Sequence, residues 1–339
     1  MNELKMNLGD RSYKITVGKG TLNKAGELFN LDRKVFILTD AGVPAKYAER
    51  IKAQAKEAII FTVGEGEGSK SFEVLESVLS AMLDFDMSRG DALVSVGGGV
   101  VGDLGGFAAS MYMRGIDFYN VPTTFLSQVD SSIGGKTAIN LNGVKNTIGA
   151  FYQPKAVLID IDTLKTLPKR QISSGLAESI KMSLTSDAEL FNLLETEGLT
   201  DENTETVITR SLMIKKSVVE CDEKESGLRK ILNFGHTFGH GIESAEEMSG
   251  LYHGECVALG MIPMCAPELR ARVTSLLKKV VLPTKYDGNI DAALDFVVHD
   301  KKCRGGMVEA IFVDTPGTYR ISRLSLNDFS KTIKDAITK

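Results

Sequence analysis

Three of the four histidines in the chain, His236, His240 and His253, fall within 18 residues of one another. His236 and His240 are spaced i, i+4, which places both imidazoles on one face of a helix. Neutral imidazoles joined by a carboxylate suit Zn²⁺, and a catalytic zinc keeps one position open. Thr237 follows the first histidine, so the HExxH pattern of a metalloprotease is absent and the carboxylate must come from elsewhere. Glu178 is the candidate, because it stands three residues before Lys181 inside an otherwise apolar helical run. A Glu–Lys pair at that spacing can be a simple ion pair, and grouped histidines can be structural. The concentration of histidines weighs toward a metal. Gly235, Gly239 and Gly241 lie among them and cost helix stability, so something has to approach that backbone closely.

A second chemical signal lies upstream. Gly97, Gly99 and Gly102 fit G-x-G-x-x-G between a strand-like run and a helix-like one. In that context backbone N–H groups and a helix N-terminus can cradle a pyrophosphate. Tight strand-to-helix packing would use the same glycines. The triple glycine and the following Asp103 go beyond that need, although such a loop usually occupies the first βα turn. Counting about 20 residues to a ribose-binding acid reaches Asp117. Asp40 is preferred because it ends the strand at 34–39, and ligands of open α/β sheets sit at carboxyl edges. Glu67 and Lys70, beyond the strand ending at Val63, can reach the same edge.

Between Asn120 and Pro154 the chain is rich in Thr, Ser, Asn and Gly and carries only three charges, Asp130, Lys136 and Lys145. It reads as a polar loop. Isolated lysines among small polar residues look like anion ligands, with Gly134-Gly135 permitting close approach. Lys181, Lys215, Arg229 and the pair Lys301-Lys302, with Asn146 and Asn233, could complete a site for phosphate or carboxylate. Each lysine taken singly fits a solvated surface as well.

These groups need a scaffold. Runs at 13–17, 34–39, 58–63, 92–96 and 156–160 read as strands, with helical spacing at 44–56 and 71–87 and an apolar segment from the glycine loop to Met113. That alternation implies a parallel sheet covered by helices. After about Gln171 the texture turns helical, over 171–197, 203–222, 236–248, 254–279 and 289–300, with a strand at 308–313. The chain therefore divides into residues 1–170, α/β and Rossmann-like, and 171–339, mostly helical.

The length of 339 residues fits two domains. Forty basic residues against 44 acidic give a net charge of −4, which argues against a general nucleic-acid binder. No stretch approaches the roughly 18 apolar residues of a membrane span, and the first residues lack the apolar core of a secretory signal. Four cysteines without CxxC spacing read as reduced packing residues. A cytoplasmic protein is expected.

The residues resemble the 3-dehydroquinate synthase family of sugar phosphate cyclases. The resemblance rests on Gly97–Asp103 (GGGVVGD), Tyr112–Gly115 (YMRG), Val121–Thr124 (VPTT), Val129–Thr137 (VDSSIGGKT), Gly143–Asn146 (GVKN), Gly175–Glu178 (GLAE), Leu232–His240 (LNFGHTFGH) and His253–Glu255 (HGE), in the family's order across most of the chain. Ser179 and Met182 stand where the family usually has Val and Tyr, and Gly241 replaces a commoner Ala.

The resemblance implies a lyase that converts 3-deoxy-D-arabino-heptulosonate 7-phosphate to 3-dehydroquinate and phosphate, in the shikimate route to chorismate and the aromatic amino acids. NAD is oxidant and reductant in one turnover, and one divalent metal is used, Zn²⁺ first and Co²⁺ as the alternative. It implies a nucleotide domain, a helical metal- and substrate-binding domain and an active site in the cleft between them. By motif, Glu178, His236 and His253 are the metal ligands, which moves His240 to proton transfer on the phosphate side with Glu225 as a further proton acceptor. Arg114, Asp130, Lys136, Asn146, Lys181, Lys215, Arg229, Asn233, His240 and Lys302 bind substrate, and Lys136, Lys181 and Asn146 also take part in catalysis. NAD lies along Asp40, Glu67, Lys70, Gly98, Gly99, Val100, Asp103, Thr123, Thr124, Lys145, Thr163 and Thr166. Members are commonly homodimers, with an arginine like Arg114 reaching the neighbouring site. A sister cyclase closing a different ring and a metal-dependent polyol dehydrogenase of the glycerol dehydrogenase type are the rival readings.

Overall fold

A computed structural model of the chain describes residues 1–225, 227–245, 250–299, 303–304 and 307–337. It divides into two compact units, Met1–Pro168 and Lys169–Lys339.

The first unit runs β1 (Asn2–Met6), β2 (Tyr13–Gly18), α1 (Ala25–Leu28), β3 (Lys34–Asp40), α2 (Ala45–Lys52), β4 (Glu57–Val63), α3 (Phe72–Asp84), β5 (Ala92–Gly97), α4 (Gly99–Met111), β6 (Asp117–Pro122), β7 (Lys136–Leu141), β8 (Val144–Phe151) and β9 (Ala156–Asp160). Seven strands form one sheet in the order β1-β2-β9-β6-β5-β3-β4, parallel except for the β1/β2 pair. Alternation along β3 explains its unbroken apolar run. Phe36 and Leu38 join a core with Leu75 and Val78 of α3 and Leu104 of α4, while Val35 and Ile37 join another with Tyr47 and Ile51 of α2. Both faces are covered, so both sets of side chains must be apolar.

The strand order reverses between β3 and β5, since the chain continues from β3 outward to β4 on one side and from β5 to β6 on the other. Crevices at such a reversal are where open α/β sheets take ligands. Asp40 ends β3 and the glycine loop follows β5, so both stand at this place. Helix α4 lies close on its neighbours because it is faced with glycine. A Cβ on Gly105 would meet Ser95 Oγ at 2.0 Å, and one on Gly106 would meet Thr137 Cγ2 at 2.4 Å.

The stretch 120–154 is more ordered than a polar loop. It holds the second half of β6, a π-helical turn at Ser127–Ser131 and the antiparallel hairpin β7/β8, which pairs Lys136 with Phe151 and Leu141 with Val144.

The second unit contains α5 (Lys169–Ser186), α6 (Ala188–Glu197), α7 (Thr204–Cys221), α8 (His236–Ala245), α9 (His253–Met261), α10 (Pro267–Lys279), α11 (Ile290–His299), β10 (Cys303–Arg304), β11 (Met307–Phe312), β12 (Arg320–Ser325) and α12 (Leu326–Ile337). The last three strands form an antiparallel sheet. The helical reading of 171–197 is interrupted by Asp187, whose carboxylate accepts the Leu190 N–H at 3.0 Å and starts α6 afresh. The reading of 254–279 is likewise divided, by a short turn at Ile262–Met264 and by Pro267 at the first position of α10. Among the described residues no helix is long and apolar enough to cross a membrane.

Candidate metal and nucleotide sites

Three helices of the second unit converge on Glu178. It lies on α5, His236 opens α8 and His253 opens α9. Backbone contact makes the convergence possible. A Cβ on Gly254 would lie 1.8 Å from the Ser174 carbonyl oxygen, and one on Gly260 would lie 2.0 Å from that of Gly235, so α9 rests directly on α5 and on the start of α8. Gly241 serves the other side of α8, where a Cβ would come within 2.3 Å of the Ala293 carbonyl oxygen on α11. Of the glycines expected to allow close approach, Gly239 and Gly241 face helix backbone, with a Cβ 3.0 Å from the Cys256 carbonyl oxygen and 2.3 Å from that of Ala293. One on Gly235 would meet Met261 Cγ at 2.6 Å and the Val257 carbonyl oxygen at 2.9 Å.

Glu178 is 1% exposed, and its Oε1 is buried without a hydrogen bond. Nε2 of His236 and Nε2 of His253 each stand 3.5 Å from that oxygen. One ligand atom from each of the three residues falls within 4.8 Å of the others. An orphaned carboxylate oxygen facing two imidazole nitrogens is a donor set for a divalent cation, and these residues fit one. Burial by itself would raise the Glu178 carboxyl, but Lys181 and His253 prevail and hold it well below the usual carboxylate range. Burial opposes charge on His253 also, yet Glu178 and Glu243 bring its value to about 10. The cluster thus attracts positive charge.

The remaining nitrogens are held from outside. His236 Nδ1 lies 3.1 Å from the Phe234 carbonyl oxygen and His253 Nδ1 lies 3.1 Å from Glu243 Oε2. His240 packs edge-on against His236, with ring centroids 5.2 Å apart. It can also group with Glu243 and His253, so geometry alone keeps it beside the metal cluster. Arg170 grips both oxygens of Glu255 at 2.7 Å, and Glu255 Oε2 accepts the Tyr252 N–H at 2.8 Å. That fixes the turn on which His253 sits.

Asn233 Nδ2 donates to Glu225 Oε1 at 3.2 Å, and Arg229, 2% exposed, donates through Nη1 to the Glu223 carbonyl oxygen at 2.5 Å. Lys181 and Lys215 are buried at 1% and 6%. Lys302 and its neighbour Lys301 lie outside the described residues.

In the first unit Lys70, 4% exposed, gathers the expected nucleotide residues. Its ammonium donates to Asp103 Oδ2 at 2.7 Å, pairs with Glu67 Oε1 at 3.6 Å and donates to Asn146 Oδ1. Asn146 was expected beside the substrate, and here it shares the lysine with the nucleotide group. Asp40 accepts the Gly42 N–H at 2.8 Å, and burial pushes its carboxyl above the ordinary value. Gly98 and Gly99 open α4, with Val100 and Asp103 in its first turns; a Cβ on Gly98 would touch Thr124 Cγ2 at 3.0 Å. The Thr123 N–H donates to the Gly97 carbonyl at 2.9 Å. Two other expected contacts are engaged with the protein itself: Thr163 Oγ1 accepts from Gln128 at 2.9 Å and Thr166 Oγ1 bonds Tyr47 OH at 2.8 Å. Lys136 and Lys145 are exposed on the hairpin, and Asp130 lies in the π-helical turn.

Of the seven described non-glycine residues with positive φ, three are expected site residues: Arg114 (66°), Asn146 (55°) and Glu225 (60°). Such backbone strain concentrates at functional sites. Two contributors were missed. Glu243 had a readable signal, being three residues after His240 and seven after His236 on the same helical face. Asn140, which donates to Glu67 at 2.9 Å and accepts the Asn146 N–H at 2.9 Å, gave none.

The models of the N-terminal and C-terminal parts of 3-dehydroquinate synthase match residues 60–174 and 175–303. A 3-dehydroquinate synthase of Streptococcus mutans is 39% identical, with 98% of this chain and 99% of that protein covered. Among solved structures, 2-deoxy-scyllo-inosose synthase with carbaglucose-6-phosphate, NAD⁺ and Co²⁺ is similar at a TM-score of 0.90 and 25% identity, over 99% of this chain and 100% of the other. A 2-epi-5-epi-valiolone synthase from Streptomyces hygroscopicus, with NAD⁺ and Zn²⁺ bound, is similar at 0.88 and 27%, over 98% and 97%. With both halves matched in order and a relative aligned along almost its whole length, the chain belongs to the 3-dehydroquinate synthase family.

Proposed function

We propose that the chain catalyses the conversion of 3-deoxy-D-arabino-heptulosonate 7-phosphate to 3-dehydroquinate and phosphate, in the cytoplasm. The observation that carries the reading is the buried Glu178 oxygen facing His236 and His253 in a chain of this family. When bound, a divalent metal, Zn²⁺ before Co²⁺, polarises substrate oxygens and NAD⁺ accepts a hydride that returns within the same turnover.

The protein's own residues prepare each half. Residues of the first unit, Asp40, Glu67, Lys70, Gly98, Gly99, Val100, Asp103, Thr123, Thr124, Lys145, Thr163 and Thr166, hold the nucleotide. In the second unit Glu178, His236 and His253 hold the metal, and Lys181 keeps Glu178 ionised. His240 moves a proton on the phosphate side, and Glu225, fixed by Asn233, accepts another. Lys136, Lys181, Lys215, Arg229 and Lys302 neutralise the carboxylate and phosphate, while Asp130, Asn146 and Asn233 orient hydroxyls. Fixing one small molecule through successive steps counts for more here than the strength of any single acid or base. Arg114, exposed on a left-handed turn, is assigned to the neighbouring site of a homodimer.

The test is phosphate release from that substrate by chelator-stripped protein, with NAD⁺ and Zn²⁺ added separately and together while NADH absorbance is followed. Release that needs both, with no net NADH and 3-dehydroquinate as product, is the expected result. Stoichiometric NADH with a simple polyol would support a dehydrogenase instead, and a different carbocycle would support a sister cyclase.

A further inference from the structure

We propose that Glu243 is a positioning residue for the metal centre, holding His253 in the one tautomer and ring orientation that serve the cation. The inference rests on Glu178, His236 and His253 being the ligands. Each of the three has a different outside partner: Lys181 for Glu178, the Phe234 carbonyl for His236 and the Glu243 carboxylate for His253. A carbonyl and a carboxylate only accept hydrogen bonds, so with a cation held at Nε2 in place of a proton each imidazole keeps its remaining proton on Nδ1. Those Nε2 atoms are the two that face Glu178 Oε1 at 3.5 Å.

The two rings differ in how firmly they are fixed. The Phe234 carbonyl lies two residues before His236 in the same backbone, so that partner comes with the chain. His253 begins a different helix and its side chain is 32% exposed, so without Glu243 the ring can turn about its χ angles toward solvent. Glu243 closes that freedom from α8, two helical turns after His236, so one helix supplies a ligand and the brace for the other. Outer carboxylates of this kind typically contribute about 10–100-fold in metal affinity.

The experiment is Zn²⁺ affinity of the full chain, by competition with a chromophoric chelator, for wild type, Glu243→Ala, Glu243→Gln and His253→Ala. NAD⁺ binding and metal-free thermal unfolding report on the fold. His253→Ala tests the ligand reading itself: undiminished zinc affinity there would overturn that reading rather than this one. Given a loss in His253→Ala, the expected result is an affinity about 10–100-fold weaker in Glu243→Ala. Most of it should return in Glu243→Gln, whose amide oxygen can still accept from Nδ1. Wild-type affinity in Glu243→Ala, or no recovery in Glu243→Gln, would overturn the positioning role.

Discussion

Lys181 Nζ donates to Glu178 Oε2 one turn along α5, with both side chains almost wholly excluded from solvent. Removing one member of a buried pair leaves the other as an uncompensated charge, at a cost of about 3–5 kcal/mol. Lys181→Met should therefore destabilise the metal-free chain by that order in urea unfolding. Zn²⁺ should return part of the loss, because a cation on Glu178 replaces the ammonium. An equal deficit with and without zinc would contradict the electrostatic account.

Gly254→Ala places a methyl group where the Ser174 carbonyl already stands. The start of α9 must move, and His253 with it. A loss of about 1–3 kcal/mol in stability is expected, together with weakened zinc binding. Gly68→Ala, with nothing within 4 Å of the new atom, should change stability by less than about 0.5 kcal/mol. Thermal unfolding and chelator competition on the two variants check the contrast.

Much of this arrangement was legible in the residues. The histidine group and Glu178 come together as their types suggested, and Asp40 and the glycine loop end neighbouring strands at the reversal of strand order. The hairpin was missed although its signal was present: Asn142-Gly143 joins β7 to β8 with φ of 50° and 77°, the left-handed pair that a tight two-residue turn demands. Four consecutive exposed residues, Val144 to Thr147, gave β8 no apolar alternation to betray it. The break between α5 and α6 was hidden because apolar spacing continues across it, and only the capping role of Asp187 marks it. The Phe234 carbonyl could not be foreseen, since a backbone oxygen has no signature.

Lys70 joins Glu67, Asp103 and Asn146 within the first unit. Lys70→Met removes a charge-assisted network worth about 1.5–3 kcal/mol, so NAD⁺ affinity should fall by about tenfold or more. Zinc affinity should stay at the wild-type value, because its proposed ligands belong to the other compact unit. Titration of one variant with both ligands tests the division of labour.

Asp187 is partly buried, which raises its carboxyl, but Arg210 and the Leu190 N–H outweigh burial and hold it below the ordinary 3.8. A depressed carboxyl contributes stability above its unfolded value and loses it as pH falls through the folded one. Asparagine still caps a helix, so Asp187→Asn isolates the charge. The variant should be less stable than wild type at neutral pH, by under about 1 kcal/mol. The difference should close as pH falls below 3.8. Urea unfolding across that range gives the answer, and a gap that persists in acid would assign the effect to shape.

The contacts at Gly254 and Gly260 leave no gap for a side chain between the helices that carry the ligands, and Gly241 does the same between α8 and α11. Positional accuracy is thus written into main chain, which has no rotamers to wander among. A mutational scan scored by turnover should consequently show losses at Gly254 and Gly260, which are not among the proposed ligands, as well as at the ligands themselves.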